Sequence, residues 1–333
     1  MKFIRYFVLF VSLVIFSIFS IFAFYASLRF YRESFTPEEI APKTGRWIQS
    51  YDVNIYIQEM GDPKNPAVVL IHGMGSWSEL WRETMVALSQ YGYYAIAIDL
   101  PPFGFSERPK PTELKSIQQA KRIVSVIDAL GLQNVHLLGH SFGGGATLHT
   151  ALLIPNRILS LQLVDIAVNL EEKKESIPSE PNRFETFWNF PLLRNRLLEV
   201  TATNPHLTKV LFSQFVHSSD CITEEKVKVI QMPMRIKGTT SFLGDWLGEF
   251  IFHSDDLLAK DTRLYGKNLT MPIDLIWGDL DTVTPIADAE KIKSILTNSR
   301  LHFIQGVGHI PQLESPENFN KLLLKNLKEV ESR

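Results

Sequence analysis

A serine hydroxyl attacks a carbonyl carbon only when a neighbouring base takes its proton, and the stretch Gly139-His140-Ser141-Phe142-Gly143 sets a serine where such chemistry is done. The apolar run 135–138 has the length of a buried strand, and Ala146, Leu148, Ala151 and Leu152 follow at helical spacing, so Ser141 falls on a strand-to-helix turn. That is the context of the G-x-S-x-G elbow. There the nucleophile takes a strained backbone conformation, and glycines two residues to either side remove the Cβ atoms that would meet the neighbouring strand and helix. Such a serine needs a histidine, oriented by a carboxylate, later in the chain. Of nine histidines, His309 alone follows a late strand in a glycine-rich loop, Gly306-Val307-Gly308-His309-Ile310-Pro311. His136, His149 and His302 lie within elements and read as packing or surface residues, while His140 points elsewhere in an elbow. Carboxylates are offered by Asp279 and Asp281, just past a strand end, and by Asp165 at the end of an earlier strand. His72-Gly73-Met74-Gly75 follows the apolar run 67–71, where a second backbone donor for an anionic intermediate is required. The oxyanion hole is therefore assigned to the N–H groups of Met74 and Phe142. The segment 99–106 ends another strand and reads as a structural loop near the pocket wall.

These residues need elements to hold them. Residues 47–59 alternate apolar and polar around Tyr51-Asp52 as a hairpin does, and Gly61-Asp62-Pro63 breaks the pattern before the run 67–71. Helical spacing over 77–88, a strand over 93–98, a helix over about 112–130 and the Ser141 strand with its helix give a β-α-β-α-β-α alternation. Further buried strands are predicted at 159–164, 273–277 and 301–304, with closing helices from about Ile286 and Pro316. Strands apolar on both faces and joined by helices make a mostly parallel, doubly wound sheet. The alternation stops between Val168 and about Lys260 and resumes at Met271, so the helical stretches 184–200, 207–216 and 242–250 read as a lid inserted over the sheet's C-terminal edge.

The N-terminus is of another kind. Residues 6–28 carry no charge and are dominated by Phe, Ile, Leu and Val, long enough to cross a bilayer and longer than the apolar core of a cleaved signal peptide. This predicts a membrane anchor over 1–32. A polar, proline-containing linker over 33–45 then leads to a domain at 46–333, with the lid at about 168–260. Lys2, Arg5 and the α-amino group outweigh Arg29 and Arg32 slightly, which places the domain outside the cytoplasm. A formal charge of −2, with no sustained basic tract, removes nucleic acid as a partner. Cys221 is the single cysteine, so neither an intrachain disulfide nor a thiolate metal cluster is available.

From Arg46 onward the chain resembles the α/β-hydrolase superfamily, in its lidded esterase, lipase and C-C-bond hydrolase branch. The resemblance implies a Ser141, Asp281, His309 triad, a lid after the sixth strand and no cofactor. Asp281 rather than Asp279 fits the family pattern Gly-x-x-Asp-x-x-x-Pro, with Gly278 and Pro285 in place. Related dehalogenases and epoxide hydrolases carry aspartate at the nucleophile position, so Ser141 argues against those activities. Pro102 departs from the glycine common in the relatives' Asp-x-Pro-Gly loop. The function expected is hydrolysis of a small apolar acyl compound, a carboxylic ester, through an acyl-enzyme. The same triad serves C–C bond hydrolysis or perhydrolase chemistry, and a non-catalytic binding protein is the reading from a different class. Phe184, Phe187, Trp188, Phe190, Phe212, Phe215, Phe242, Trp246 and Phe250 make the lid aromatic, which predicts an apolar acyl pocket and a preference for medium-chain over acetate esters.

Overall fold

The structure, a computed structural model, describes residues 2–168, 183–252, 265 and 268–332. Parts of the predicted lid, 169–182 and 253–260, lie outside the described residues. Eight strands form one sheet in the order β1-β2-β4-β3-β5-β6-β7-β8: β1 Gly45–Gln49, β2 Asn54–Met60, β3 Ala67–Ile71, β4 Tyr94–Ile98, β5 Val135–His140, β6 Ile158–Val164, β7 Ile273–Gly278 and β8 Ser299–Ile304. The β1–β2 hairpin is antiparallel, β2 joins β4 antiparallel, and the six strands from β3 onward pair in parallel.

The helices in chain order are α1 Lys2–Arg32, α2 Pro37–Ile40, α3 Arg82–Gln90, α4 Ser116–Ala129, α5 Gly143–Leu153, α6 Arg183–Trp188, α7 Pro191–Val200, α8 Thr208–Phe212, α9 Glu224–Gln231, α10 Thr239–Phe252, α11 Ile286–Ile295, α12 Pro311–Glu314 and α13 Pro316–Glu331. The period of two along the strands divides the core. Ala67, Val69 and Ile71 face a layer with Ile123, Val126, Ile127, Leu148 and Ile292 of α4, α5 and α11. Val68 and Leu70 face Met85 and Leu88 of α3 and Phe319, Leu323 and Leu327 of α13. Both faces of the sheet are thus covered by helices, the reason its central strands are apolar throughout.

Four local expectations differ from what is found. The helix expected over 77–88 opens as a 3-10 turn at Ser78–Trp81 before α3, and the one expected from 112 opens as a 3-10 turn at Pro111–Glu113 before α4. The stretch 184–200 is two helices, because Pro191 lacks the N–H that would continue α6 and starts α7 instead. The expected spacer 33–45 is not free. It holds α2, and Phe35 pairs with the backbone at Ile236, receives Lys237 N–H at 2.9 Å and lies under the Arg235 guanidinium at 4.2 Å.

The helix α1 has 31 residues, none buried, and is long and apolar enough to cross a membrane. Its last turns rest on the inserted helices. Arg29 pairs with the buried Glu199 of α7 at 3.2 Å, Tyr25 meets His206 edge-on, and Arg32 donates to the Thr203 carbonyl and, at 3.3 Å, to Thr240 of α10.

Candidate active site

Ser141 sits between β5 and α5 with φ +50°, a left-handed conformation costly for a residue with a Cβ. The surroundings hold it there: its N–H donates to Val164 O of β6 at 3.0 Å and its carbonyl accepts from Gly144 N at 2.9 Å. The two elbow glycines are required by close approach. A Cβ on Gly139 would come within 2.1 Å of Thr147 Oγ1 on α5, and one on Gly143 within 2.5 Å of His72 O at the end of β3.

The predicted residues converge here from three loops at the same sheet edge. Ser141 Oγ lies 2.7 Å from His309 Nε2, and His309 Nδ1 lies 2.7 Å from Asp281 Oδ2. Since Asp281 accepts from Nδ1–H, Nε2 is left to accept the serine proton, an assignment made from the network. All three side chains are buried. Burial alone would raise the Asp281 pKa, but the His309 hydrogen bond and charge, with the Thr284 hydroxyl at 2.6 Å, hold it down at about 2. Val283 N and Thr284 N also donate to its Oδ1 at 2.7 and 3.0 Å. Asp281 is therefore ionised at neutral pH.

Asp279 lies elsewhere. Its carboxylate accepts from Gly306 N at 2.6 Å and ties the β7 loop to the turn after β8. Asp165, at the end of β6 with φ +42°, lies beside the site: one polar atom each of Asp165, Asp281 and His309 fall within 4.8 Å of one another. It is fully buried and accepts from Gly278 N at 2.9 Å, and burial together with the Asp281 charge pushes its pKa well up. A carboxyl whose charged form is disfavoured in this way is the weaker partner for an imidazolium, whereas Asp281 is both held low and hydrogen-bonded to His309. This is the one group of three His, Cys or acidic residues spaced for a metal among the described residues, but its Asp281 and His309 atoms are engaged in hydrogen bonds with each other.

Met74 and Phe142 bring their backbone N–H groups from the β3 loop and the start of α5, and among the described residues neither has a protein acceptor. The β3 loop is pinned by His72, whose Nε2 accepts from Leu100 N at 2.9 Å and whose Nδ1 lies 2.8 Å from Gly73 O. Asp99 closes the neighbouring loop by accepting from Ser78 N at 2.7 Å and Phe105 N at 2.8 Å, as expected of a structural segment.

Two supports were not read from the sequence. His140 places Nε2 2.8 Å from the His309 carbonyl, and Glu314 accepts from Gly308 N at 2.9 Å, so the histidine loop is held from both sides. Only the position of His140 beside the elbow, with an inward-facing strand end, could have hinted at this. Next to the triad lies a cavity of about 250 Å³, lined almost wholly by carbon, with Met74, Phe103, Phe212, Phe215 and Trp246 in its wall. Phe215 packs on the His309 ring at 6.2 Å and Trp246 on Phe142 at 5.7 Å, which joins cavity to triad. Of the nine aromatics expected in a lid, Phe212, Phe215 and Trp246 face the cavity. Phe184, Phe187 and Trp188 pack on one another.

A mostly parallel sheet with a left-handed serine elbow after its fifth strand defines the α/β-hydrolase architecture. The chain belongs to the alpha/beta hydrolase fold family, whose profile matches residues 66–316. A 2-hydroxy-6-oxononadienedioate/2-hydroxy-6-oxononatrienedioate hydrolase from Burkholderia vietnamiensis is 28% identical over 275 residues, 79% of this chain and 88% of the relative. Among solved structures, a membrane phospholipase A described as a bacterial virulence factor is 22% identical, covers 100% of both chains and superposes with a TM-score of 0.69. An esterase from Exiguobacterium antarcticum is 22% identical, covering 85% of this chain and 99% of its own, with a TM-score of 0.64. The two structural likenesses speak to the fold; the family makes the chain a relative of hydrolases.

Proposed function

We propose that the protein is a membrane-attached serine hydrolase that cleaves an apolar acyl compound, a carboxylic ester, through an acyl-enzyme. The observation that carries this reading is the continuous hydrogen-bonded series Asp281, His309, Ser141 beside an apolar cavity. His309 Nε2 takes the Ser141 proton as Oγ bonds to the acyl carbon, and the carbonyl oxygen, now anionic, is met by the N–H groups of Met74 and Phe142. Asp281 holds and stabilises the imidazolium, which then protonates the departing alcohol. Water deprotonated by the same histidine attacks the acyl carbon, and the bond to Ser141 Oγ breaks as the imidazolium returns its proton to Oγ and the carboxylic acid leaves. The helix α1 anchors the domain, with the domain on the extracytoplasmic side.

A second reading, hydrolysis of a carbon–carbon bond beside a carbonyl, is favoured by the name of the Burkholderia relative. Both readings are tested on membranes carrying the full chain, washed with alkaline carbonate and treated with a fluorophosphonate probe. Label at Ser141 in the pellet, absent from Ser141→Ala, is the expected result. A folded chain that takes no label counts against the nucleophile, and label released to the supernatant counts against the anchor. Turnover of a 2-hydroxy-6-oxo dienoate without turnover of any ester would select the second reading.

A further inference from the structure

Among the described residues one charged side chain reaches the apolar cavity: Arg108, from the loop after β4. Its guanidinium donates to Thr239 Oγ1 at 2.7 Å and to the Lys237 carbonyl at 3.4 Å, and lies 5.5 Å from the centre of the Phe242 ring. All of these partners are neutral. The nearby arginines of the lid differ, since Arg194 holds Asp245 at 2.8 Å and Arg196 holds Glu199. Glu33 is the acidic group that acts on Arg108 through space, but it is paired with Arg32 at 2.9 Å and accepts from Thr240 N at 3.1 Å. Among the described residues no carboxylate forms an ion pair with Arg108. Arg108 is half-buried, and burial lowers its pKa to about 10, so its guanidinium has lost part of its hydration without gaining a counter-charge. A cation so placed lacks the bidentate anionic partner its fork of donors is shaped to take.

We infer that Arg108 reads an anion on the substrate: the cavity takes a compound with an apolar body and one carboxylate or phosphate group that docks on this guanidinium. This rests on reading the cavity as the substrate pocket. It narrows the substrate class from apolar esters in general to amphiphilic ones that carry a single anionic group. The anion can belong to the acyl tail or to the alcohol side, and the chemistry of recognition is the same.

The test reads binding, so it does not depend on turnover. The full-length Ser141→Ala chain in detergent is titrated calorimetrically with two matched pairs below their micellar concentrations. Monomethyl suberate against dimethyl suberate places the anion on the acyl side, and 1-octanoylglycerol 3-phosphate against 1-octanoylglycerol places it on the alcohol side. In at least one pair the anion should bind tenfold or more tighter than its neutral match; the pair that shows it identifies the side. Adding Arg108→Met should bring that ratio close to one, and Arg108→Lys should keep part of it. Ratios near one in both pairs with Arg108 intact overturn the inference with no variant needed. So does a ratio that survives Arg108→Met. Failure of Ser141 to take a fluorophosphonate while the anion preference persists would instead remove the hydrolase reading and leave the recognition standing.

Discussion

Two aspartates lie two residues apart after β7, and their hydrogen bonds divide the work. Asp281 has both carboxylate oxygens engaged, Oδ1 by two backbone N–H groups and Oδ2 by Thr284 and His309, and its low pKa keeps it charged opposite the imidazole. Asparagine there keeps the shape but presents no charge and can enforce the wrong histidine tautomer. Asp281→Asn is expected to lower kcat about 10⁴-fold on a p-nitrophenyl ester. Asp279 only ties one turn to another through Gly306 N, so Asp279→Asn should cost less than about tenfold. A greater loss at 279 than at 281 in parallel assays would reverse the assignment. The backbone strain at Ser141 belongs to this scale too, because Gly139 and Gly143 admit a helix and a strand end that any Cβ would displace.

At the scale of elements, the inserted helices are joined to α1 and the segment after it. The residues that receive Arg29, Arg32 and Glu33 lie on the elements that also supply Leu198, Thr203 and Thr239 to the cavity wall. The pocket is thus shaped partly by the end of α1 and the segment that follows it. On the full chain, kcat/KM for p-nitrophenyl esters should rise from two to eight carbons by well over tenfold, since each buried methylene contributes up to about 0.8 kcal/mol. A fragment beginning at Arg46 should lose several-fold on the octanoate while losing less on the acetate, because the braces at Glu199, Thr203 and Thr240 go with the missing segment. A flat series on the full chain would remove the apolar acyl pocket, and an unchanged octanoate rate in the fragment would remove the brace.

At the scale of the whole molecule, several buried ionisable groups carry protonation states unlike those of the unfolded chain. Burial lowers His72 and His136 to about 4, and burial followed by the His309 charge lowers His140 to about 3. Burial raises Asp99 to about 7 and Asp165 well above the ordinary range. Below about pH 6 the unfolded chain gains protons at three histidines that the native chain keeps neutral, while the two raised aspartates offset part of this. The histidines outnumber the aspartates, so the unfolded state binds more protons and stability falls as the pH is lowered, with a slope of about 1.4 kcal/mol per pH unit for each net proton. The Tm of the detergent-solubilised full chain should drop steadily from pH 6 to 4.5. A Tm that holds or rises over that range would refute the balance.

The sheet was legible because its signals are local. A strand buried on both faces must be apolar along its length, an elbow must carry glycines around its serine, and a bilayer-length apolar run needs no tertiary context to be recognised. Ser141 and His309 could be singled out for the same reason, each standing beyond a strand end among glycines. What the sequence could not supply was set by contacts between distant segments. That His140 holds the His309 loop depends on two strand ends meeting 169 positions apart. The raised pKa of Asp165 depends on its burial beside Asp281, and the contact of Glu33 with Thr240 on a segment 207 positions later. Burial and charge pairing are properties of the packed chain, so the residue type alone left Arg108 an ordinary loop cation. Only the fold withheld its counter-charge and turned it toward the cavity.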